Sequence, residues 1–138
     1  MKKTLVLLML CVLMAGCASP LDKVRKNNRK GLLKLSVGMT KKQALKVMGK
    51  AGGGGYFGEP TVKSPYKSET LQANGKNFEM LYYYTDINSR IHISNPGTIR
   101  DNDLTPLVFE NDILIGWGNT FVKTLASQDS GKSSEVQK

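Results

Sequence analysis

The sequence predicts an α+β fold in which two N-terminal helices pack on a three-stranded antiparallel sheet. Three observations predict it: a capped helix that ends near residue 49, an aromatic strand over 78–84, and two apolar runs joined by Asn111-Asp112. The chain has 138 residues, which is enough for one small domain and too few for two. We therefore expect a single two-layer αα-βββ domain over residues 31–125.

The first helix is predicted over residues 22–33. Leu21 and Val24 lie three residues apart, which is typical of the apolar face of a helix. We expect the end of this helix to carry Leu32 and Leu33 into the core.

The second helix has clear signals at both ends. Thr40 is a favoured N-cap residue, and Gln43 completes a capping box three residues later. Gly49 stands where a helix commonly ends in a C-terminal cap. The expected apolar face consists of Ala44, Leu45, Val47 and Met48.

The three strands are predicted in the second half of the chain. Residues 50–77 are rich in Gly, Pro and turn residues, so they are expected to form a long loop with at most one irregular strand. In the strand over 78–84, one face is expected to carry Phe78, Met80, Tyr82 and Tyr84. The runs 107–110 and 113–117 predict a tight hairpin, because Asn and Asp both tolerate positive φ.

Proline and the polar C-terminus limit the strand predictions. Pro106 fits only at the start of a strand or on an edge. The tail 126–138 is rich in Ser, Gln, Asp, Gly and Lys. It is expected to be disordered because it has too few apolar side chains to form a core.

The first seventeen residues have the pattern of an export signal. Lys2-Lys3 precede eleven consecutive apolar residues, a run too short to cross about 30 Å of hydrocarbon but suited to a secretory signal. The run leads into Ala15-Gly16-Cys17, which resembles the lipobox of bacterial lipoproteins. We expect residues 1–16 to be removed as a signal peptide and Cys17 to become lipidated, carrying diacylglycerol and an N-acyl chain such as palmitate. The alternative is an ordinary signal peptide with an incidental cysteine.

The residues after Cys17 bear on location. Ala18-Ser19 lacks the Asp that retains such lipoproteins in the inner membrane of enteric bacteria, so an outer-membrane, periplasm-facing location is expected. Residues 17–30 are then expected to form a lipidated basic tether. The membrane, contacted through the lipid anchor on Cys17, is the one partner that the signal and lipobox pattern implies directly.

Two groups of motifs resemble known families. The stretch 35–49, with Gly38-Met39-Thr40, resembles the opening of the SmpA/OmlA (BamE-like) outer-membrane lipoproteins, in which a helical pair precedes a three-stranded sheet. The stretches 28–32 and 105–118 resemble a related family of small proteobacterial lipoproteins, known only as a domain of unknown function. The resemblance implies a fold and a location but no reaction, since BamE-like proteins act by binding partners in the β-barrel assembly complex.

Positive charge is concentrated in one part of the chain. The formal net charge is +9, but residues 23–50 hold ten basic and no acidic residues, whereas 51–138 hold eight basic and ten acidic ones. One interpretation is a solvated helix face; the other is binding to anionic lipid, cell-wall polymer or an acidic protein. Nucleic acid is excluded as a partner by export. The predicted patch consists of Lys23, Arg25, Lys26, Arg29, Lys30, Lys41, Lys42 and Lys46.

Aromatic residues provide a second candidate surface. Tyr82, Tyr83 and Tyr84 are consecutive, so at least one of them is expected to point away from the core of a strand. With Trp117 they are a predicted protein-binding patch on an open sheet face, because Tyr and Trp are enriched at interfaces. Core packing is the alternative explanation.

Catalytic, metal and nucleotide motifs are weak. His92 has no cysteine partner, and with Asp101 and Asp103 it does not provide a metal ligand set. The glycines at 52–55 and the Gly-Lys-Ser at 131–133 both lack the context of a phosphate-binding loop. We expect no cofactor, no metal, no small-molecule substrate and no enzymatic activity. The predicted function is a protein-binding accessory or assembly factor at the outer membrane; the alternative is a tether whose basic helices bind anionic lipid or cell wall.

Overall fold

A four-stranded antiparallel sheet lies at the centre of the fold. The computed structural model describes residues 20–53, 61–86 and 99–130. Two short strands, β1 (Gly52–Gly53) and β2 (Val62–Lys63), pair separately from the main sheet. In spatial order the main sheet consists of β3 (Lys67–Ala73), β4 (Lys76–Tyr84), β5 (Leu104–Glu110) and β6 (Ile113–Trp117).

Three helices occur in the described part of the chain, and they cover both faces of this sheet. They are α1 (Pro20–Leu32), α2 (Lys41–Met48) and α3 (Asn119–Ser130); a 3-10 turn, Asp101–Asp103, precedes β5. Alternate side chains of a strand point to opposite faces. Accordingly Met80 and Tyr82 of β4 pack in one apolar cluster with residues of α1 and α3, whereas Leu81 and Tyr83 pack in another with α2.

The prediction of two helices on a three-stranded sheet is therefore wrong. The main sheet has four strands, and helices lie on both of its faces. The extra strand, β3, falls within the stretch expected to be a loop. It is an edge strand with mostly exposed side chains, so its sequence lacks the apolar alternation that reveals a half-buried strand. Asn74-Gly75, with φ of 53° and 70°, is the turn that joins it to β4.

The third helix was also not predicted. Gly118, with φ of 94°, directly follows β6, and α3 begins at the next residue. Phe121, Val122 and Leu125 pack against the cluster formed by α1 and the sheet. The helix includes residues 126–130, which the composition had assigned to a tail, while 131–138 lie outside the described residues.

Several local predictions are confirmed. The amide of Gln43 donates to the Thr40 hydroxyl at 3.3 Å, and the Gln43 side chain accepts from the Thr40 amide at 2.9 Å, which completes the capping box. Asn111 and Asp112 adopt φ of 50° and 63°, as a two-residue hairpin turn requires. The predicted face of β4 is also correct, because Phe78, Met80, Tyr82 and Tyr84 share one cluster.

Pro106 is the third residue of β5 and not its first; β4 pairs with it on one side, and on the other side the ladder with β6 ends at the next residue, which makes this position a local edge. It pairs with Tyr82 of β4, and its carbonyl accepts from the Gly118 amide at 2.8 Å. In an antiparallel strand the N and O of one residue face the same neighbour, so the Pro106 nitrogen also faces the β6 side. The β5–β6 pairing ends at Leu107 and Trp117, and the missing N–H therefore leaves both ladders intact.

The first helix crosses the end of the sheet. Leu21 and Val24 belong to one apolar cluster, whereas Leu32 packs against the other. Between them Asn28 is fully buried, and its side-chain Nδ2 donates to the backbone carbonyl of Tyr84, the last residue of β4. Residues 20–30, expected to be a tether, are thus an integral part of the domain.

Candidate functional site: the basic face of the first helix

The three consecutive tyrosines do not form an exposed patch. Tyr82, Tyr83 and Tyr84 are only 9%, 0% and 4% exposed. Helices cover both faces of the sheet, so a tyrosine is buried whichever way it points. The expected open sheet face with exposed tyrosines is therefore absent from the described part of the molecule.

Burial also sets the acid–base properties of these side chains. It raises the pKa of Tyr83 to about 12, and the Tyr83 hydroxyl has no hydrogen-bond partner among the described residues. Burial, with a hydrogen bond to Glu69, raises the pKa of Tyr82 to about 12, and Lys67 Nζ lies 4.5 Å from the centre of its ring. Burial raises the pKa of Tyr84 as well. All three are neutral at physiological pH and are core residues.

Trp117 is placed differently, because it is only partly buried. It lines an open groove of about 610 Å³ together with residues of α1 and the loop that follows it. The other lining residues are Arg29, Leu32, Leu33 and Leu35. Of the predicted aromatic patch, Trp117 alone keeps access to solvent at a concave surface.

Two of the ten basic residues in 23–50 are neutralised by neighbouring carboxylates. Arg25 pairs with Asp22 one helical turn earlier, at 2.6 Å. Lys41 donates to both carboxylate oxygens of Glu79 on β4, at 2.8 and 2.7 Å. The charges of these two residues of the predicted patch are therefore compensated within the protein.

The other basic residues in 23–50 are exposed and form no ion pair within the described residues. Among the described residues no salt bridge or side-chain hydrogen bond involves them, in contrast to Lys67, which bridges Glu69 and Asp101 at 2.8 Å each. Their charges are therefore available to an external anion. They are Lys23, Lys26, Arg29, Lys30, Lys34, Lys42, Lys46 and Lys50.

Helical geometry places several of these charges on one side of α1. Relative to Lys26, Arg29 and Lys30 are at positions i+3 and i+4, and Lys23 is one turn earlier. The buried residues Leu21, Val24, Asn28 and Gly31 define the opposite side. The helix is thus amphipathic, with its apolar side against the sheet and a continuous cationic side towards solvent.

An apolar side chain projects from the end of this cationic side. Leu33, which was expected in the core, is 87% exposed and follows Lys26 by seven residues. Its amide still donates to the Arg29 carbonyl at 3.3 Å, so the helical turn continues to this point. Four residues later Val37 is 64% exposed. Sequence reasoning missed both, although the position of Leu33 on the polar side of the helical repeat was a visible signal.

The two aspartates considered with His92, Asp101 and Asp103, differ in their surroundings. Asp101 is exposed and pairs with Lys67, whereas Asp103 is buried and accepts from the Arg100 amide at 3.0 Å. Within 20–53, 61–86 and 99–130 no cluster of His, Cys, Asp and Glu could hold a metal ion. His92, Cys17, residues 54–55 and the Gly-Lys-Ser at 131–133 lie outside the described residues.

Comparison with known proteins identifies the family. Residues 17–124 match the family model described as "Protein of unknown function (DUF3192)". The chain belongs to this family. No curated protein and no solved structure matches the sequence. The family match begins at the predicted lipidation site, Cys17, and ends within α3, so it includes the basic helix and the whole sheet.

A helix that spans a membrane needs about 20 predominantly apolar residues. In the part of the chain that the structure describes, no helix is both long enough and apolar enough to span a membrane.

Proposed function

We propose that this protein is a lipid-anchored, non-enzymatic protein of the bacterial cell envelope, and that its basic first helix binds an anionic surface next to the anchor. The observation that carries the proposal is the cationic side of α1, where Lys23, Lys26, Arg29 and Lys30 are exposed and unpaired within the described residues. The expected site is the outer membrane, facing the periplasm, with Cys17 as the lipidated residue.

The distance between anchor and helix supports this combination. Only Ala18 and Ser19 separate Cys17 from Pro20, the start of α1, and three residue steps span at most about 11 Å. The first turns of the helix are therefore held near any membrane that the acyl chains enter. Each basic residue near an anionic surface contributes about 1 kcal/mol, an attraction that fades within about 8 Å at physiological ionic strength.

The packing of α1 supports a fixed presentation of these charges. Leu21 and Val24 are buried against the sheet, and Asn28 is hydrogen-bonded to Tyr84, so the helix cannot rotate independently of the domain. A rigid row of charges needs less ordering on binding than a flexible basic tether would.

Lipidation and charge can be tested separately. Mass spectrometry of the N-terminal peptide from envelopes is expected to show an acylated Cys17, and Cys17→Ala is expected to abolish the modification. An unmodified Cys17, or a mature chain that begins elsewhere, would contradict the anchor.

The basic surface is tested by lysine footprinting of the full-length lipidated protein in vesicles. In anionic vesicles, Lys23, Lys26 and Lys30 are expected to react several-fold more slowly with an amine reagent than in zwitterionic vesicles, and high salt is expected to remove the difference. Lys123, exposed on α3, is the internal control. Equal reactivity of the α1 lysines in both vesicles would refute binding to anionic lipid, and the same assay with isolated cell wall examines the other anionic surface.

A protein-binding accessory is a second candidate function. Trp117 at the mouth of an apolar groove favours it, since exposed tryptophan is enriched at protein interfaces. The resemblance of 35–49 to the opening of SmpA/OmlA proteins, which bind partners in the β-barrel assembly complex, also supports it. Crosslinking from position 117 in intact envelopes is the direct test.

A further inference from the structure

Leu33 and Val37 are unusual among the apolar side chains of this protein. They are 87% and 64% exposed, whereas the next most exposed large apolar residues that the structure describes, Tyr66 and Ile113, reach only 39% and 38%. Neither contributes to the two apolar clusters of the core. Their position is therefore not explained by folding.

Leu33 lies where the cationic side of α1 ends, and Val37 follows it in the connection to α2. Leu33 follows Lys26 by seven residues, Arg29 by four and Lys30 by three. In a helix these spacings place side chains on the same side, so Leu33 points to the same side as the charges. Lys34, also exposed, comes between Leu33 and Val37 in the chain. The groove lined by Leu33, Leu35 and Trp117, with Arg29 at its edge, continues this apolar surface.

We propose that the domain touches an anionic bilayer at a second point, where Leu33 and Val37 insert among the lipids while the α1 charges bind the headgroups. This inference rests on the proposed function and names the anionic surface as lipid. Cell-wall polymer has charges but no apolar interior, so it would leave Leu33 exposed. Peripheral proteins that enter the interface of anionic membranes typically carry apolar side chains surrounded by lysine and arginine.

The length of α1 allows both contacts together. Thirteen residues at about 1.5 Å each give a helix of about 20 Å, with the anchor expected near Pro20 and Leu33 just beyond the other end. The basic residues lie between them. A helix parallel to the membrane, with its cationic side down, brings anchor, charges and Leu33 to the bilayer at once, and the groove beside Trp117 then faces the lipid.

The single tryptophan of the chain makes this arrangement measurable. The full-length lipidated protein is reconstituted in anionic vesicles that contain lipids with brominated acyl chains, which quench tryptophan at short range. The emission of Trp117 is expected to shift to the blue and to be quenched at low salt. In zwitterionic vesicles, where the anchor alone remains, the quenching is expected to be several-fold weaker.

The double variant Leu33→Ser/Val37→Ser is expected to keep the lysine protection of the α1 charges but to lose most of the quenching of Trp117. The matched control is Tyr66→Ser, which removes a partly exposed aromatic ring elsewhere and is expected to leave the quenching unchanged. Because Leu33 and Val37 are largely exposed, circular dichroism and the unfolding midpoint of the double variant are expected to stay unchanged, and circular dichroism also checks that Tyr66→Ser folds.

The outcomes separate the two proposals. If the α1 lysines are protected but Trp117 is not quenched in wild-type protein, the contact stops at the headgroups and the insertion is refuted while the proposed function stands. If the lysines are not protected either, both fail. If the double variant instead abolishes crosslinking of position 117 to an envelope protein and leaves quenching unchanged, the surface binds protein, and insertion into lipid is refuted.

Discussion

Asn28 of the first helix donates a hydrogen bond of 2.8 Å to the carbonyl oxygen of Tyr84, which follows it by 56 residues in the chain. The side-chain oxygen Oδ1 of Asn28 in turn accepts from the Ser64 hydroxyl at 2.9 Å. This fully buried side chain connects α1, the segment after β2 and the end of β4. It fixes the helix at the point where it passes from one face of the sheet to the other.

Replacement of Asn28 by Ala is therefore expected to lower the free energy of unfolding by about 1–3 kcal/mol, because the Tyr84 carbonyl and the Ser64 hydroxyl lose their partner in a buried site. Urea unfolding of the two proteins measures the difference. Asn27→Ala is the matched control, since Asn27 is the same residue type, exposed and adjacent. Equal losses in both variants would show that the hydrogen bond of Asn28 does not hold the helix.

Tyr83 has the opposite character, a buried hydroxyl without a hydrogen-bond partner in the described structure. Tyr83→Phe is expected to leave the free energy of unfolding unchanged or to raise it by up to about 1 kcal/mol, because the variant buries no unsatisfied polar atom. Thr85→Val provides the contrast: the Thr85 hydroxyl is hydrogen-bonded to Thr105 at 2.6 Å, and its loss is expected to cost about 1 kcal/mol. A clear destabilisation by Tyr83→Phe would mean that the hydroxyl has a partner after all.

Stability is expected to fall at alkaline pH. Burial raises the pKa of Tyr82 and Tyr83 from 10.0 to about 12 in the folded state, so between these values the unfolded chain loses protons that the folded chain retains. The contribution is complete below pH 10 and is lost as the pH rises through about 12. Urea midpoints measured over this range, together with tyrosinate absorbance, provide the check. Tyr83→Phe is expected to show a smaller decline than wild type; parallel curves would contradict the assignment to Tyr83.

Gly116 is expected to tolerate no side chain, because a Cβ at this position would lie 2.6 Å from the ring of Phe121 on α3. Gly116→Ala is therefore expected to displace α3 and to lower the free energy of unfolding by about 1–3 kcal/mol. The double variant Gly116→Ala/Phe121→Ala tests the cause, since removal of the ring is expected to relieve part of the loss. Gly52→Ala is the control, because its nearest neighbour would be at an ordinary 3.6 Å. Additive effects of the two substitutions would contradict the clash.

Short-range chemistry was predictable from the sequence. The capping box of Thr40 and Gln43, the positive-φ turn at Asn111-Asp112 and the alternation of β4 each depend on a few neighbouring residues. The concentration of basic residues in 23–50 was equally visible, as was the family to which the chain belongs. For the candidate site, the sequence by itself therefore supplied the charges and the helix that carries them.

Long-range packing decided the rest. The edge strand β3 has few apolar residues, and it exists because β4 offers it a complete row of hydrogen-bonding partners. Whether Tyr82 and Tyr83 were exposed depended on α3 covering one face of the sheet and α2 the other, which no local pattern of tyrosines reveals. In the same way, only the course of α1 across the sheet left Leu33 in solvent and the neighbouring Leu32 against the core. The sequence thus determined which groups are present and how each segment begins and ends. Tertiary contacts determined which of those groups a partner can reach. The reason is that burial is a property of the assembled layers and not of any one segment.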